Sequence, residues 1–361
     1  MKLASEQIRL SATDLSNHLA CRHLTMLDLQ VVRGEKPAPD WPVPDLMVIR
    51  ERGERHEAAY LTYLAEQKKL TVVNLAEIKD EKDLLERTRR LMEQGAEVIA
   101  QGGLVGAEWF GRPDVLRRVA KRGTKWDWSY EVEDTKLARK TKAATILQIS
   151  LYSELLTRAQ GCEPEWMWVI PPGQDFEGEA YRVAEYAAYF RYVKGRLARA
   201  VQNDGGSETY PEPVAHCDVC QWFSQCDEQR HGDDHLSLVA GIRRQHREQL
   251  VAWDTETMAK LAVLPIPLME RPKHGSREAI ERVREQARVQ VTGRADKRLV
   301  HEALLPAAEG MGFCRLPEPS ADDVFVDLEG DPFVGESGLQ YLFGFAFKKG
   351  TASYITKSAG H

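Results

Sequence analysis

Gly111-Arg-Pro-Asp-Val-Leu-Arg-Arg-Val-Ala120 and, after a short basic turn, Trp126-Asp-Trp-Ser-Tyr-Glu-Val-Glu-Asp-Thr-Lys136 are the segments that decide the fold of this chain. Pro113 to Val119 reads as a short strand after a Gly-Arg turn, and Trp126 to Lys136 as a strand with alternating aromatics. Side chains alternate across a strand, so Asp134 and Lys136 point to one face, with Asp114 on the neighbouring strand. Working outward, Ala96 to Ala100 and Gly103 to Phe110 read as further strands, and Glu165 to Ile170 as one stopped by Pro171-Pro172. Helical spacing marks a segment capped by Thr13 or Asp14 that runs through Leu15, Leu19, Leu24 and Leu27 and carries Cys21 on its length. Further helices are expected over Leu46 to Glu66, Asp80 to Gln94, Thr141 to Ala159 and Tyr186 to Gln202. Helices flanking a small mixed sheet make an α/β core.

The residues on that scaffold have the chemistry of phosphodiester hydrolysis. Two acids on adjacent strands, Asp114 and Asp134, suit magnesium, which prefers carboxylates and keeps several waters. Lys136 stands where it can orient a water or balance charge in the transition state. Gln148 and Tyr152 lie four apart on a helix and share a face, and His56 is a candidate third ligand. Singly, Asp114 reads as a turn aspartate and Asp134 with Lys136 as a surface ion pair; their joint occurrence favours a site. The net charge of −6 argues weakly against nucleic acid, but Gly111 to Lys142 holds ten Lys or Arg against five acids. Arg112, Arg139, Lys140 and Lys142 are the candidate phosphate contacts, the alternative being a solvated strand edge.

Six cysteines are present in 361 residues, four of them in a one-plus-three pattern, Cys21 with Cys217-x2-Cys220-x5-Cys226. Disulfide frameworks belong to short secreted chains, and the start, Met-Lys-Leu-Ala-Ser-Glu-Gln, lacks the apolar run of a signal peptide, so a cytoplasmic protein is expected. Four thiolates at this spacing hold a 4Fe-4S cluster or a tetrahedral zinc; two separate C-x2-C knuckles, the commoner zinc pattern, are not seen. Cys162 and Cys314 read as ordinary small buried residues. No apolar run reaches transmembrane length, and no membrane association is expected.

The series His56, Gly111-x2-Asp114, Asp134-x-Lys136, Gln148-x3-Tyr152, with the one-plus-three cysteines, resembles the RecB-type branch of the PD-(D/E)xK nucleases. It is similar in particular to the iron–sulfur subgroup that includes AddB and the CRISPR-associated exonucleases, over roughly residues 10 to 230. The resemblance implies a restriction-endonuclease-like core with flanking helices and a DNA exonuclease acting on single strands or duplex ends. It implies magnesium or manganese on Asp114, Asp134, His56 and the Thr135 carbonyl, with Lys136, Gln148 and Tyr152 in catalysis. It also implies that Cys21, Cys217, Cys220 and Cys226 ligate a cluster joining the two ends of the domain. Glu133 beside Asp134 leaves the second carboxylate ambiguous, although only Asp134 keeps the one-residue gap to Lys136.

Domain boundaries are expected near residues 232, 272 and 316. Leu236 to Ala262 reads as two short helices around a loop, similar to helix-hairpin-helix units, with a plain helical spacer as the simpler reading. Lys273 to Arg298, mixed in charge, suits a connector or exposed arm. Asp323-Val-Phe-Val-Asp327-Leu-Glu329 reads as a buried strand with two inward acids, followed by strands over Leu339 to Phe347 and Thr351 to Ile355. That pattern resembles the opening hairpins of the RNase H-like exonuclease domain of the YprB type, here cut off early, with Asp327 and Glu329 as a vestigial second site. Fusions of this sort often precede a helicase, and a helicase subunit is an expected partner, since no G-x4-G-K-[ST] loop exists in this chain. The competing expectations are a catalytically inactive nucleic-acid-binding or scaffold fragment, and a zinc-stabilised interaction module.

Overall fold

Consecutive buried residues along Val98-Ile-Ala, Val115-Leu and Tyr130-Glu-Val build a sheet with helices on both faces, and the chain is of mixed α/β class. The computed structural model describes residues 1–4, 7–39, 44–173, 175–202, 209–302, 310–331, 334, 338–347 and 353–358. Contacts divide the chain into one unit over Met1–Val291 and another over Thr292–His361.

The first unit begins with a hairpin, β1 (Lys2–Ala4) and β2 (Gln7–Arg9), then α1 (Ala12–Ala20), α2 (Arg22–Val32) and α3 (Pro44–Glu66). Next come β3 (Val72–Asn74), α4 (Glu81–Glu93), β4 (Val98–Ala100), the small hairpin β5 (Leu104–Gly106) and β6 (Trp109–Gly111), β7 (Val115–Val119), β8 (Ser129–Thr135) and α5 (Ala143–Gln160). It continues with β9 (Trp166–Ile170), β10 (Glu179–Arg182), α6 (Val183–Gln202), α7 (Phe223–Gly232), α8 (Arg244–Val251) and α9 (Met258–Ala262), and α10 (Arg277–Asp296) begins in it. The main sheet has six strands in the order β10-β9-β8-β7-β4-β3. β3 runs parallel to β4 across the α4 crossover, and β8 parallel to β9 across α5. The central pair, β7 on β8, is antiparallel, with Val115 opposite Glu133.

Period two sorts the two faces. Ile99, Leu116, Tyr130 and Val132 pack under α4, α5, α6 and α1 in the largest core. Val98, Val115 and Ile170 face Tyr60 and Leu64 of α3. Two glycines are set by backbone demands: Gly161 ends α5 at φ +82°, and a Cβ on Gly111 would lie 2.7 Å from a Tyr152 ring carbon. No helix among the described residues is long and apolar enough to cross a membrane.

Several expectations need correction. The helix thought to carry Cys21 on its length is two helices, because Ser11 caps α1 with Asp14 as its reciprocal partner and the chain turns extended at Cys21 (φ −155°, ψ 117°). Gly103 to Phe110 is a hairpin and not one strand, and β3 and β10 were not anticipated, being short with half-exposed residues. The connector expected over Lys273 to Arg298 contains α10, whose Ile280, Val283 and Ala287 are buried with Leu236, Leu250 and Leu261 in a second core. Its charge is a solvated helix face over a narrow apolar stripe. Cys314 is exposed and Cys162 half-buried, so neither is a buried core residue.

The second unit holds an antiparallel meander, β11 (Val324–Asp331), β12 (Leu339–Phe347) and β13 (Ser353–Ser358). Thr351 lies outside the described residues. β11 is exposed from Val324 to Gly330, Asp327 and Glu329 included, where a buried strand was expected. Within this unit the described residues supply only the tail of α10 and the 3-10 turn Gly312–Arg315, too little to cover a sheet face.

Burial of α10 has a measurable consequence. Ile280→Ala should lower the unfolding free energy of the first unit by about 2–5 kcal/mol, as a buried Ile truncation does. A urea melt identical to wild type would return residues 277–296 to the status of a connector.

Candidate active site and cysteine cavity

The β7–β8 register places the two candidate carboxylates together. Continuing one step beyond the Val115–Glu133 pair brings Asp114, just before β7, opposite Asp134, near the end of β8. Asp114 Oδ2 accepts hydrogen bonds from Thr135 N–H (2.7 Å) and Thr135 Oγ1 (2.8 Å), which ties the strand end to the carboxylate. Asp134 is fully buried. Its Oδ2 pairs with Lys136 Nζ, and its Oδ1 accepts from Gln148 Nε2 at 3.1 Å. Gln148 also donates to the Tyr152 hydroxyl at 3.2 Å. Asp114, Asp134, Thr135, Lys136, Gln148 and Tyr152 therefore form one connected group.

Glu133 and Asp134 are separated by the pleat. Glu133 turns to the α3 side, where Tyr60 donates to Oε2 at 2.6 Å and Arg117 pairs with Oε1. Asp134 turns to α5 and Lys136. Burial raises the Glu133 carboxyl pKa, opposed by Arg117 and Tyr60. Burial, then the negative charge of Asp114, push Asp134 up to about 7 against the pull of Lys136, and Glu57 adds to the rise.

Glu57 is a carboxylate that sequence reasoning missed. Its pKa is raised by burial and then by Asp114, and it feels Lys136 as well. Gln101 Nε2 donates to Glu57 Oε1 at 2.6 Å and stands 3.4 Å from Asp114 Oδ1. Gln101 is held at φ +55°, with its N–H on the Asp114 carbonyl at 2.9 Å, a strained conformation for a side chain of this kind. A usable signal existed: Glu57, Tyr60 and Leu64 follow helical spacing, so the buried stripe of α3 extends one turn back onto Glu57. Gln101 left no signal, because its backbone is set by contacts remote in sequence.

His56 lies at the rim. Its Nε2 stands 3.2 Å from the Ile170 carbonyl, which also accepts the Lys136 N–H at 3.0 Å, and its ring stacks on Phe176 at 5.7 Å. Donation from Nε2 leaves Nδ1 as the lone-pair nitrogen. Arg112 braces the loop by donating to the Gln101 and Leu75 carbonyls at 3.1 and 2.8 Å, so its guanidinium is turned inward. Arg139, Lys140 and Lys142 are exposed on the turn between β8 and α5. Asp327 and Glu329 belong to the second unit.

The four cysteines of the one-plus-three pattern line one cavity with Leu24 and Trp222. Cys21 sits in the break between α1 and α2, Cys217 in the 3-10 turn Ala215–Val219, Cys220 just after it, and Cys226 in the first turn of α7. The Leu24 and Val214 N–H groups each donate at 3.4 Å, to Cys21 Sγ and Cys217 Sγ. Trp222 Nε1 donates to Asp28 Oδ1 at 2.9 Å, fastening the segment to α2. Burial raises the Cys220 and Cys226 thiols, Cys226 to about 11, with the other cysteines adding to it. Among the described residues, no three His, Cys, Asp or Glu side chains are drawn close enough to form a finished metal-binding set. Asp114 and Asp134, and two of the four thiols, Cys21 and Cys217, accept hydrogen bonds from protein donors.

No family model and no curated protein matches this chain. Among solved structures it is similar to SSO0001, at 13% identity and a TM-score of 0.32, over 62% of this chain and 88% of that one.

The Asp134 pKa gives a signed pH dependence in metal-free protein. The folded carboxyl, moved from 3.8 to about 7, holds its proton more tightly than the unfolded one. Unfolding free energy therefore falls as pH rises through that window. Asp134→Asn, which has no proton to lose, should gain stability relative to wild type across the same window and keep a constant difference above it. Parallel urea-melt profiles for the two proteins from acid to neutral pH would contradict the assignment.

Proposed function

We propose that this chain is a divalent-metal-dependent nuclease with a RecB-like, restriction-endonuclease-like core, hydrolysing DNA phosphodiester bonds as an exonuclease. The observation that carries the reading is the fully buried Asp134, crowded by Asp114 and Glu57 and answered by Lys136. After burial, the charge of Asp114 raises the pKa of both Glu57 and Asp134, so the three carboxylates form a place short of positive charge, which fits magnesium or manganese by donor chemistry. Asp114, Asp134 and the Thr135 carbonyl are the residues to hold it, with Glu57 and His56 beside them. The ion supplies charge neutralisation at phosphoryl oxygens and a lowered pKa for an attacking water.

The chain's own groups divide the remaining work. Lys136 balances the carboxylates and is placed to stabilise negative charge growing on phosphate. Gln148 fixes the orientation of Asp134 and links it to Tyr152, whose burial keeps the phenol protonated as a donor. Exposed Arg139, Lys140 and Lys142 lie on the turn that follows Lys136, where a phosphate backbone would reach them.

The cysteines carry the second half of the reading, a structural 4Fe-4S cluster held by Cys21, Cys217, Cys220 and Cys226, with zinc as the alternative. Four sulfurs lining one cavity from elements far apart in sequence support it. A cytoplasmic location, a helicase subunit as partner and a YprB-type relationship for the second unit complete the proposal and rest on the sequence pattern alone.

Two tests follow. Asp114→Ala and Lys136→Ala should each lower magnesium- or manganese-dependent cleavage of single- and double-stranded DNA by about a hundred- to a thousandfold with circular dichroism unchanged. Wild-type activity in either variant removes that residue from the site. Cys21→Ser and Cys220→Ser should each strip iron and acid-labile sulfide from anaerobically purified protein and lower its melting temperature alike, since either opens the same long loop. Zinc without sulfide in the wild type replaces the cluster by zinc; unchanged metal in Cys21→Ser removes Cys21 as a ligand.

A further inference from the structure

Helix α6 turns Phe190, Val193 and Leu197 into the core and a different stripe outward. Tyr189, Tyr192 and Arg196 follow at intervals of three and four residues and share one face. Tyr189 is 49% and Tyr192 56% exposed. They border an open groove of about 700 Å³ that is also lined by Arg22 at the start of α2 and by Arg244 and Arg247 of α8. Among the described residues that line the groove, four arginines thus meet one acid, Glu212.

The partners of these arginines separate framework from free charge. Arg247 is buried and pairs with Glu212 at 2.6 Å, and Arg244 pairs with Glu248 at 2.8 Å. Arg196 stands 3.2 Å from the Tyr192 hydroxyl with its guanidinium 5.5 Å from that ring centroid, and neither it nor exposed Arg22 has a carboxylate partner among the described residues. Two guanidinium groups without a carboxylate partner among the described residues, beside two half-exposed tyrosine rings, are the combination that binds phosphate and stacks bases. The volume is that of a site for a molecule of nucleotide size and not for a lone anion. Stacking needs bases whose faces are free, and in a duplex they are closed by their neighbours.

We propose that this groove binds a single-stranded polynucleotide, with bases on Tyr189 and Tyr192 and phosphates on Arg196 and Arg22. This deepens the nuclease reading by naming the form of its substrate. Lys194, on the same helix, donates to Glu154 of α5 at 2.7 Å, so the helix that borders the groove is fastened to the one that carries Gln148 and Tyr152.

The test is equilibrium binding of the full chain, by fluorescence anisotropy without divalent metal, to labelled single-stranded DNA and RNA of about 16 nucleotides and to a blunt duplex. Tyr192→Ala should weaken single-strand binding about five- to a hundredfold, the effect of losing one base stack. Arg22→Ala with Arg196→Ala should flatten the log–log salt slope by about 1.4, the loss of two phosphate contacts to a single strand. Unchanged affinity in Tyr192→Ala, an unchanged slope in the arginine pair, or an equal loss for the duplex each overturns the proposal. All of these side chains except Arg196 are exposed, and Arg22 lies on a separate helix, so misfolding of an α6 variant leaves Arg22→Ala to decide. Cleavage by wild type with intact binding in these variants defeats the groove alone; groove-dependent binding without cleavage defeats the nuclease reading alone.

Discussion

Val115 faces Glu133 across β7 and β8, and that one register drives Asp114 and Asp134 together at the end of the pair. Placing two carboxylates side by side, one of them fully buried, opposes folding, and the neighbouring residues offset the cost. Thr135 gives Asp114 two donors, Lys136 gives Asp134 a counter-charge, and Gln148 holds the other oxygen of Asp134. Gly111, where any side chain would strike Tyr152, lets α5 lie close enough to bring Gln148 into reach. A slip of one residue would turn Asp134 toward α3 and Glu133 toward α5, and every one of these contacts would be lost.

The sequence made the centre of this arrangement legible because strand and helix periods act over a few residues. Asp134 with Lys136 at two apart, and Gln148 with Tyr152 at four apart, are brought together by local geometry, and they meet in the structure. The extents of α4 and α5 were readable for the same reason. What escaped depends on long-range contacts. Gln101 owes its left-handed backbone to the Asp114 and Arg112 bonds, and Glu57 enters from a helix on the opposite face of the sheet. Arg112 donates to two carbonyls from distant turns, partners that its local sequence does not foresee. Charge misled most at α10, where three buried residues outweigh a polar majority.

The cysteine cavity solves a different problem from the carboxylates. Cys21 lies at the break between α1 and α2, and its three companions follow α6, so holding them together closes a loop that contains the entire main sheet. Closure of so long a loop is entropically costly, although the cost grows slowly with length. Leu24, Leu27 and Trp222 packed around the sulfurs, and the Trp222 bond to Asp28, carry part of that closure by themselves. A ligand bridging the four sulfurs would carry the rest, linking the stability of the sheet to occupancy of the cavity.

Whether the crowded carboxylates make a cation site is best decided by titrating manganese into the full chain and following binding by isothermal calorimetry. The wild type should bind, Asp114→Asn and Asp134→Asn should lose that binding, and Glu57→Gln should weaken it. Identical isotherms for the wild type and both aspartate variants would contradict the account, because the ion would then be held elsewhere.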